Sequence, residues 1–451
     1  MSLQLPVIDA RSPGYRTALD QLRAQLSPSG NVVSEKGRAL TERVFGSALT
    51  PEQVVDRILN DVRSRGLEAV LHYSRELDGA ELDPSSLRVP EEKMQEAHAS
   101  AAPEMLAAVR AIADNIRKFQ NAILHTDVAF IPRPGVRLDQ RYVPIDRIGV
   151  CVPGGAAAYP STVMMTVLPA QAAGVREIAV VAPPTQFGAF NTDVLATCWE
   201  LGVREIYPIG GAQAVAAMAY GIEGLPAVDK IVGPGSLFVA LAKKAVYGQV
   251  DIDSIAGPSE VVVIADDSTC AAYAAADMLA QAEHSPGASL LITWHEELLE
   301  QVNIELDRQI AVLERGALAS QSLQSFGGCI LVKDADQAIA ITDELAPEHL
   351  HIACREPRKL AYRIRHAGAT FLGPYSPVAV GDYAAGPSHV IPTGGTARWA
   401  AGLSANSFLR SGSIIEFSQD ALADIAPYIA RIADCEGLTA HKRSVTIRTE
   451  Q

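Results

Sequence analysis

The sequence predicts an α/β chain with two parallel-sheet regions, and three observations carry that reading. Beyond Gly149, short β-branched runs pass into glycines and then into Ala-rich stretches of helical period, the pattern of successive βα units. The pentapeptide Gly174-Val-Arg-Glu-Ile178 recurs as Gly202-Val-Arg-Glu-Ile206, and Ala227-Val-Asp-Lys-Ile231 follows at similar spacing. The three implied strands leave into Ala182-Pro-Pro184, Ile209-Gly-Gly211 and Gly233-Pro-Gly235. Glycine turns at one end of consecutive strands are where open parallel sheets let a ligand approach the backbone, so this region reads as a Rossmann-like half.

Taken in order, the first third is mainly helical. Val54, Val55, Ile58, Leu59, Val62, Val70 and Leu71 follow helical spacing between Pro51 and Asp78, and a second such stretch runs from Glu91 to about Phe119. After the repeats comes a second α/β section. Its strand candidates are Glu260 to Ala265, Ser289 to Thr293, Cys329 to Val332, His351 to Ala353 and Thr370 to Leu372, with helical stretches near Ser268 to His284, Glu296 to Leu313 and Ala335 to Leu345. Gly373 to Gly402 is rich in Gly and Pro and reads as a long functional loop or linker. From Ser411 the tail reads as a helix followed by a short polar strand, too small for a core of its own and therefore expected to pack on another surface, such as a partner subunit. The expected division is an N-terminal extension over 1–49, a first α/β domain from 50–145 and 258–403, a Rossmann-like domain over 146–257, and a tail domain over 404–451.

Composition narrows the function. Thirty-eight Lys and Arg against 52 Asp and Glu leave a net charge of -14, which opposes the phosphate neutralisation that nucleic-acid binding needs. No apolar run reaches the roughly 18 residues of a membrane span, and Met1 to Pro6 carries no signal-like basic flank, so a soluble cytoplasmic protein is expected. The six cysteines show no zinc-ribbon or redox spacing, and most read as small buried hydrophobes.

Several side-chain sets have chemical potential. Gln281 and His284 lie three apart on one helix face, a spacing that suits two ligands of one metal and equally a histidine interacting with a helix C-terminus. Glu348 and His349 follow Ala346-Pro347 at an element boundary, where an irregular backbone lets an acid and a base reach one site. Asp382 and His389 sit in the Gly-Pro loop, and Glu436 and His441 in the tail. No full dinucleotide or P-loop fingerprint occurs.

Eight ordered segments carry a resemblance: Val152-Pro-Gly-Gly155, Gly210-Gly-Ala-Gln-Ala214, Val228-Asp-Lys-Ile-Val-Gly-Pro-Gly235, Ala256-Gly-Pro-Ser-Glu260, Gln281-Ala-Glu-His284, Ala346-Pro-Glu-His-Leu350, Gly381-Asp-Tyr383 and Leu438-Thr-Ala-His441. Together, from roughly Thr50 to Arg448, they closely resemble histidinol dehydrogenase. The resemblance implies a zinc-dependent, NAD-linked enzyme that oxidises L-histidinol through L-histidinal to L-histidine. By position, Gln281, His284, Asp382 and His441 match the zinc ligands, the last from the partner's tail in a domain-swapped homodimer. Glu348 and His349 match the catalytic pair. Ser259, Gln281, His284, His349, Asp382, Glu436 and His441 match substrate positions, and Cys151, Gln213 and Ser236 fall on the nucleotide side. The chain departs from the family pattern at Cys151, where tyrosine is common, and at Ser236 and Ser388, where asparagine is common. Two other readings keep less of the resemblance: a paralogue oxidising another amino alcohol or diol, and a zinc- or ligand-binding protein without turnover.

Overall fold

The computed structural model describes residues 4–26, 35–155, 157–284 and 287–450. The strands are β1 (Val7–Asp9), β2 (Val128–Arg133), β3 (Val136–Pro144), β4 (Arg147–Cys151), β5 (Glu177–Val181), β6 (Glu205–Tyr207), β7 (Lys230–Val232), β8 (Asp251–Ile252), β9 (Ser259–Ala265), β10 (Gly287–Thr293), β11 (Gly327–Leu331), β12 (His349–Ile352), β13 (Ala369–Leu372) and β14 (Leu409–Phe417). They form a parallel five-stranded sheet, β6-β5-β4-β7-β8, and a parallel six-stranded sheet, β1-β11-β10-β9-β12-β13, beside a small antiparallel one, β14-β3-β2. The expected α/β class with parallel sheets is what the fold has.

The repeated pentapeptide has a local cause. Gly174 at φ +94° ends the helix Pro160–Ala173, and Gly202 at φ +78° follows the helix Thr192–Glu200, a left-handed conformation that glycine adopts without steric penalty. The valine after each glycine is buried, and the Glu-Ile pair opens β5 or β6. Each repeat is thus a helix stop joined to a strand start. Strands β10 and β11 are buried along their whole length, as a parallel sheet covered on both faces requires.

Several expectations need correction. Gly66 at φ +57° breaks the 51–78 stretch into two helices, Pro51–Arg65 and Leu67–Asp78. Proline at the first turn of the helix Pro103–Ile123 separates it from Glu91–Ser100. Both pairs pack on the five-stranded sheet: Val54, Ile58 and Val70 share a core with Val215 and Ile231, while Met94, Val109 and Ile116 share one with Val150 and Val180. Residues 51–123 thus pack on the five-stranded sheet, while Asn115 and Gln120 also donate to the Ala384 and Gly386 carbonyls. The N-terminal region is no appendage, because β1 pairs with β11 and Leu19 is fully buried under the six-stranded sheet. The tail order is reversed. Its strand β14 comes first, paired with β3 from Leu409↔Pro144 to Phe417↔Val136, and the helices Gln419–Cys435 and Thr439–Thr446 follow. A nine-residue ladder to β3 supplies backbone hydrogen bonds that decide the conformation of 409–417, and no local pattern reveals that partner.

Candidate active site

The two large sheets meet with opposite polarity. Segments after the carboxyl ends of β4 and β7, Pro153 and Gly233 to Leu237, face segments at the amino ends of β9 and β12, Ser259, Glu348 and His349. Between them lies a cleft of about 420 Å³, also lined by Asp253, His284, Asp382, Tyr383, His389 and Thr393.

The approach to β12 is shaped by one strained residue. Ala346, at φ +50°, is the sole non-glycine with positive φ among the described residues; it ends the helix Ala335–Leu345, and Pro347 directs the chain into the strand. Glu348 and His349 emerge buried side by side, as the irregular backbone at that proline predicts. Glu348 Oε2 accepts from Ser259 Oγ at 2.5 Å and from the Glu260 backbone N–H at 2.9 Å. It also lies 3.5 Å from His349 Nδ1. Burial pushes the Glu348 carboxyl above its ordinary range, against the pull of His349 and the bond from Ser259. His349 Nδ1 is 3.2 Å from the Glu260 carbonyl, and its Nε2 is 3.5 Å from Asp382 Oδ1. Burial alone would lower this imidazole, but Glu348 and Asp382 outweigh it and raise it to about 9. Asp382, on the short helix Val378–Tyr383, is held low by His349 despite its burial. His389 Nδ1 lies 3.0 Å from the Asp382 carbonyl, and burial lowers that ring's pKa against the pull of Asp382.

The expected site residues divide into three groups. Ser236, Ser259, His284, Glu348, His349 and Asp382 converge on the cleft. Gln281 lies one turn before His284, buried, with its Nε2 unpartnered. The remaining four stand apart. Cys151 ends β4 inside the core, where burial pushes its thiol up to about 12, and Gln213 donates from Nε2 to Asp78 Oδ2 at 2.9 Å; neither lines the cleft. Glu436 and His441 are exposed on the tail. No group of three His, Cys, Asp or Glu side chains suited to a metal occurs among the described residues. The donor types still suit a cation: an amide oxygen of Gln281, the His284 imidazole and the Asp382 carboxylate, with His284 near enough to act electrostatically on Asp382.

Glu260 is a residue that motif reasoning passed over, although it closes the segment Ala256-Gly-Pro-Ser-Glu260. Its Oε1 accepts from the backbone N–H groups of Glu348, at 3.2 Å, and Gly394, at 3.0 Å. With Glu260 N–H donating to Glu348 Oε2, the two glutamates brace each other reciprocally across β9 and β12.

A cleft between opposed sheet ends, walled by a hydroxyl, paired carboxylates and imidazoles, is the site of an acid–base enzyme acting on a small polar molecule. The chain belongs to the histidinol dehydrogenase family, whose family model matches residues 45–449. It is 64% identical over 449 residues to histidinol dehydrogenase of Rhodopirellula baltica, covering 99% of this chain and 98% of that protein. With the Geobacillus kaustophilus histidinol dehydrogenase it shares 46% identity over 416 residues, 92% of this chain and 98% of that one. The crystal structure of histidinol dehydrogenase from Elizabethkingia anophelis superposes with a TM-score of 0.89 at 32% identity, covering 100% of this chain and 99% of that chain. Among the described residues no helix is long and apolar enough to cross a membrane.

Proposed function

We propose that this cleft carries out the NAD-dependent oxidation of L-histidinol, through L-histidinal, to L-histidine, the closing steps of histidine biosynthesis. The observation that carries the reading is the chain of contacts Ser259, Glu348, His349, Asp382 beside the Gly233-Pro-Gly235 turn. The five-stranded sheet acts as the Rossmann-like half, with Ser236 on its cleft-facing turn and Cys151 and Gln213 behind it as nucleotide-side residues. When bound, NAD accepts a hydride at each oxidation, and a divalent cation, zinc in this reading, held by Gln281, His284, Asp382 and the partner subunit's His441 supplies a fixed positive charge that orients the substrate's donors.

The chain's own residues then divide the proton work. His349 donates Nδ1–H to the Glu260 carbonyl, which leaves Nε2 to take the proton of the substrate hydroxyl. Without a cation Glu348 and Asp382 hold this imidazole up at about 9; a cation engaging the charge of Asp382 would lower it toward the range of a base that works near neutral pH. Glu348 receives both of its hydrogen bonds on Oε2, which leaves Oε1 to draw a proton from the water that adds to the aldehyde. Glu436 of the partner's tail meets the substrate's ammonium group.

A swapped homodimer brings the tail residues in. Supporting it, the tail exposes Ile415, Tyr428 and Ile432, and β2 exposes Phe130 and Ile131, apolar side chains that a partner subunit would cover. Protein supplied with zinc, NAD and L-histidinol is expected to form about two equivalents of NADH per substrate. One equivalent indicates a simple alcohol dehydrogenase, and none overturns the reading. His349→Ala should lower kcat by about 10²- to 10⁴-fold with metal retained, whereas His284→Ala should lose metal.

A further inference from the structure

The strand that presents His349 holds a second buried histidine two residues on, on the same face. His351 Nε2 donates to the Gly373 carbonyl at 2.9 Å, and its Nδ1 lies 2.6 Å from Asp277 Oδ2. Both side chains are nearly sealed, at 2% and 7% exposure. The Asp277 contact is an ion pair, set off the line of an N–H bond. Two acceptors flank one ring, and an unprotonated Nδ1 held 2.6 Å from a carboxylate oxygen would set lone pair against lone pair. Burial opposes the charged form of His351, but Asp277 and the Gly373 carbonyl outweigh it and favour the imidazolium.

Its three attachments are the three elements that build the cleft's acid–base wall. Asp277 lies on the helix Ala271–Ala282, four residues before Gln281 and thus on the same helix face, with His284 just beyond. His351 itself belongs to β12, which opens with His349. Gly373, whose N–H donates to Ile352 and whose φ is +78°, begins the segment that carries Asp382 and His389. Nothing in the proton work above uses this pair. We propose that His351, held by Asp277 and Gly373, is a positioning residue: one buried cation fixes the spacing between the helix of Gln281 and His284, the strand of Glu348 and His349, and the segment of Asp382. The inference rests on the site assignment given under the proposed function.

The full-length protein tests it with the double variant Asp277→Asn/His351→Gln, which leaves no buried charge unpaired, and with Asp277→Asn alone should the double variant fail to fold. Three readouts apply at a temperature well below unfolding. Zinc affinity, measured by competition with a chromophoric chelator, is expected to fall about tenfold, the low end for residues supporting metal ligands. The kcat at saturating metal is expected to fall by a similar factor while KM for NAD stays within about twofold, because the nucleotide wall belongs to the other sheet. Amide hydrogen exchange over 374–402 is expected to accelerate, with that of 237–246 unchanged. A lower melting temperature with zinc affinity, kcat and exchange all at wild-type values would make the pair a folding brace and overturn the proposal. Wild-type protein that binds no zinc refutes the metal assignment instead; kcat and loop exchange then decide the clamp.

Discussion

Replacing Glu260 by glutamine should stabilise the protein at neutral pH and not at pH 5. Glu260 is 3% exposed, and burial, reinforced by the negative charge of Glu348, raises its carboxyl from 4.5 to about 8. Between those two values the folded chain keeps a proton that the unfolded chain has released. Stability drawn from this site therefore falls as pH rises, by at most about 1.4 kcal/mol per pH unit, and levels off above 8. From pH 5 to 7.5 the loss is bounded at about 3 kcal/mol. The amide of Glu260→Gln keeps an oxygen for the N–H groups of Glu348 and Gly394 and cannot ionise, so its stability lacks this slope. Urea unfolding of both metal-free proteins, followed through Trp294 just beyond β10, measures the gap at each pH. A stability advantage for Glu260→Gln that grows by about 1–3 kcal/mol between pH 5 and 7.5 is expected. A gap that is constant, or that narrows, would show that Glu260 is already ionised in the fold and that the reciprocal brace is a carboxylate pair.

Two further outcomes concern the nucleotide wall and the tail. Gly233 sits at φ +101°, where an added Cβ would stand 2.3 Å from the Cys151 carbonyl oxygen, so Gly233→Ala should cost about 2–4 kcal/mol of stability in thermal melting and raise KM for NAD more than KM for L-histidinol. If the tail acts in the partner's site, inactive His349→Ala and inactive His441→Ala proteins, co-refolded, should regain about a quarter of wild-type activity, because random pairing makes half the dimers mixed and each mixed dimer holds one intact site. No regain would place His441 in its own subunit's site or outside catalysis.

The parallel sheets were legible because their signals are local. The Gly-Val-Arg-Glu-Ile repeats state a helix stop and a strand start within five residues, and the short site segments name Ser236, Ser259, His284, Glu348, His349 and Asp382, which line the cleft. What stayed hidden depends on partners remote in sequence. Gln213 turns to Asp78, 135 residues earlier, and a glutamine beside a glycine turn gives no sign of that choice. Strand β14 follows from β3, some 270 residues before it, and Ile414-Ile415 reads as readily as a helix face. Glu260 looks like one more charge of a motif until its burial shows it is held by backbone N–H groups without a cation. Even His351, two places from a recognised residue, gains meaning only when Asp277 and Gly373 close on it.

These hidden contacts share a logic, since each wall of the cleft has a buried ion pair behind it. On the nucleotide side Lys243 donates to the Gly233 carbonyl at 3.0 Å and pairs with Asp253, whose Oδ2 accepts the Gly233 N–H at 2.6 Å, so both backbone groups of that glycine are fixed by one pair. On the acid–base side the pair of Asp277 and His351 holds the Gly373 carbonyl and ties it to the helix of Gln281. A buried pair of this kind contributes little net stability, since desolvating two charges offsets their attraction, but it resists displacement because moving either member strands the other. The two pairs share no residue and brace different sheets, so a change on one wall need not travel to the other. If the proposed function holds, a change at Ser236, on the cleft-facing turn, should alter how the nucleotide sits without disturbing Glu348, His349 and Asp382, and effects on KM for NAD and on kcat should separate by wall.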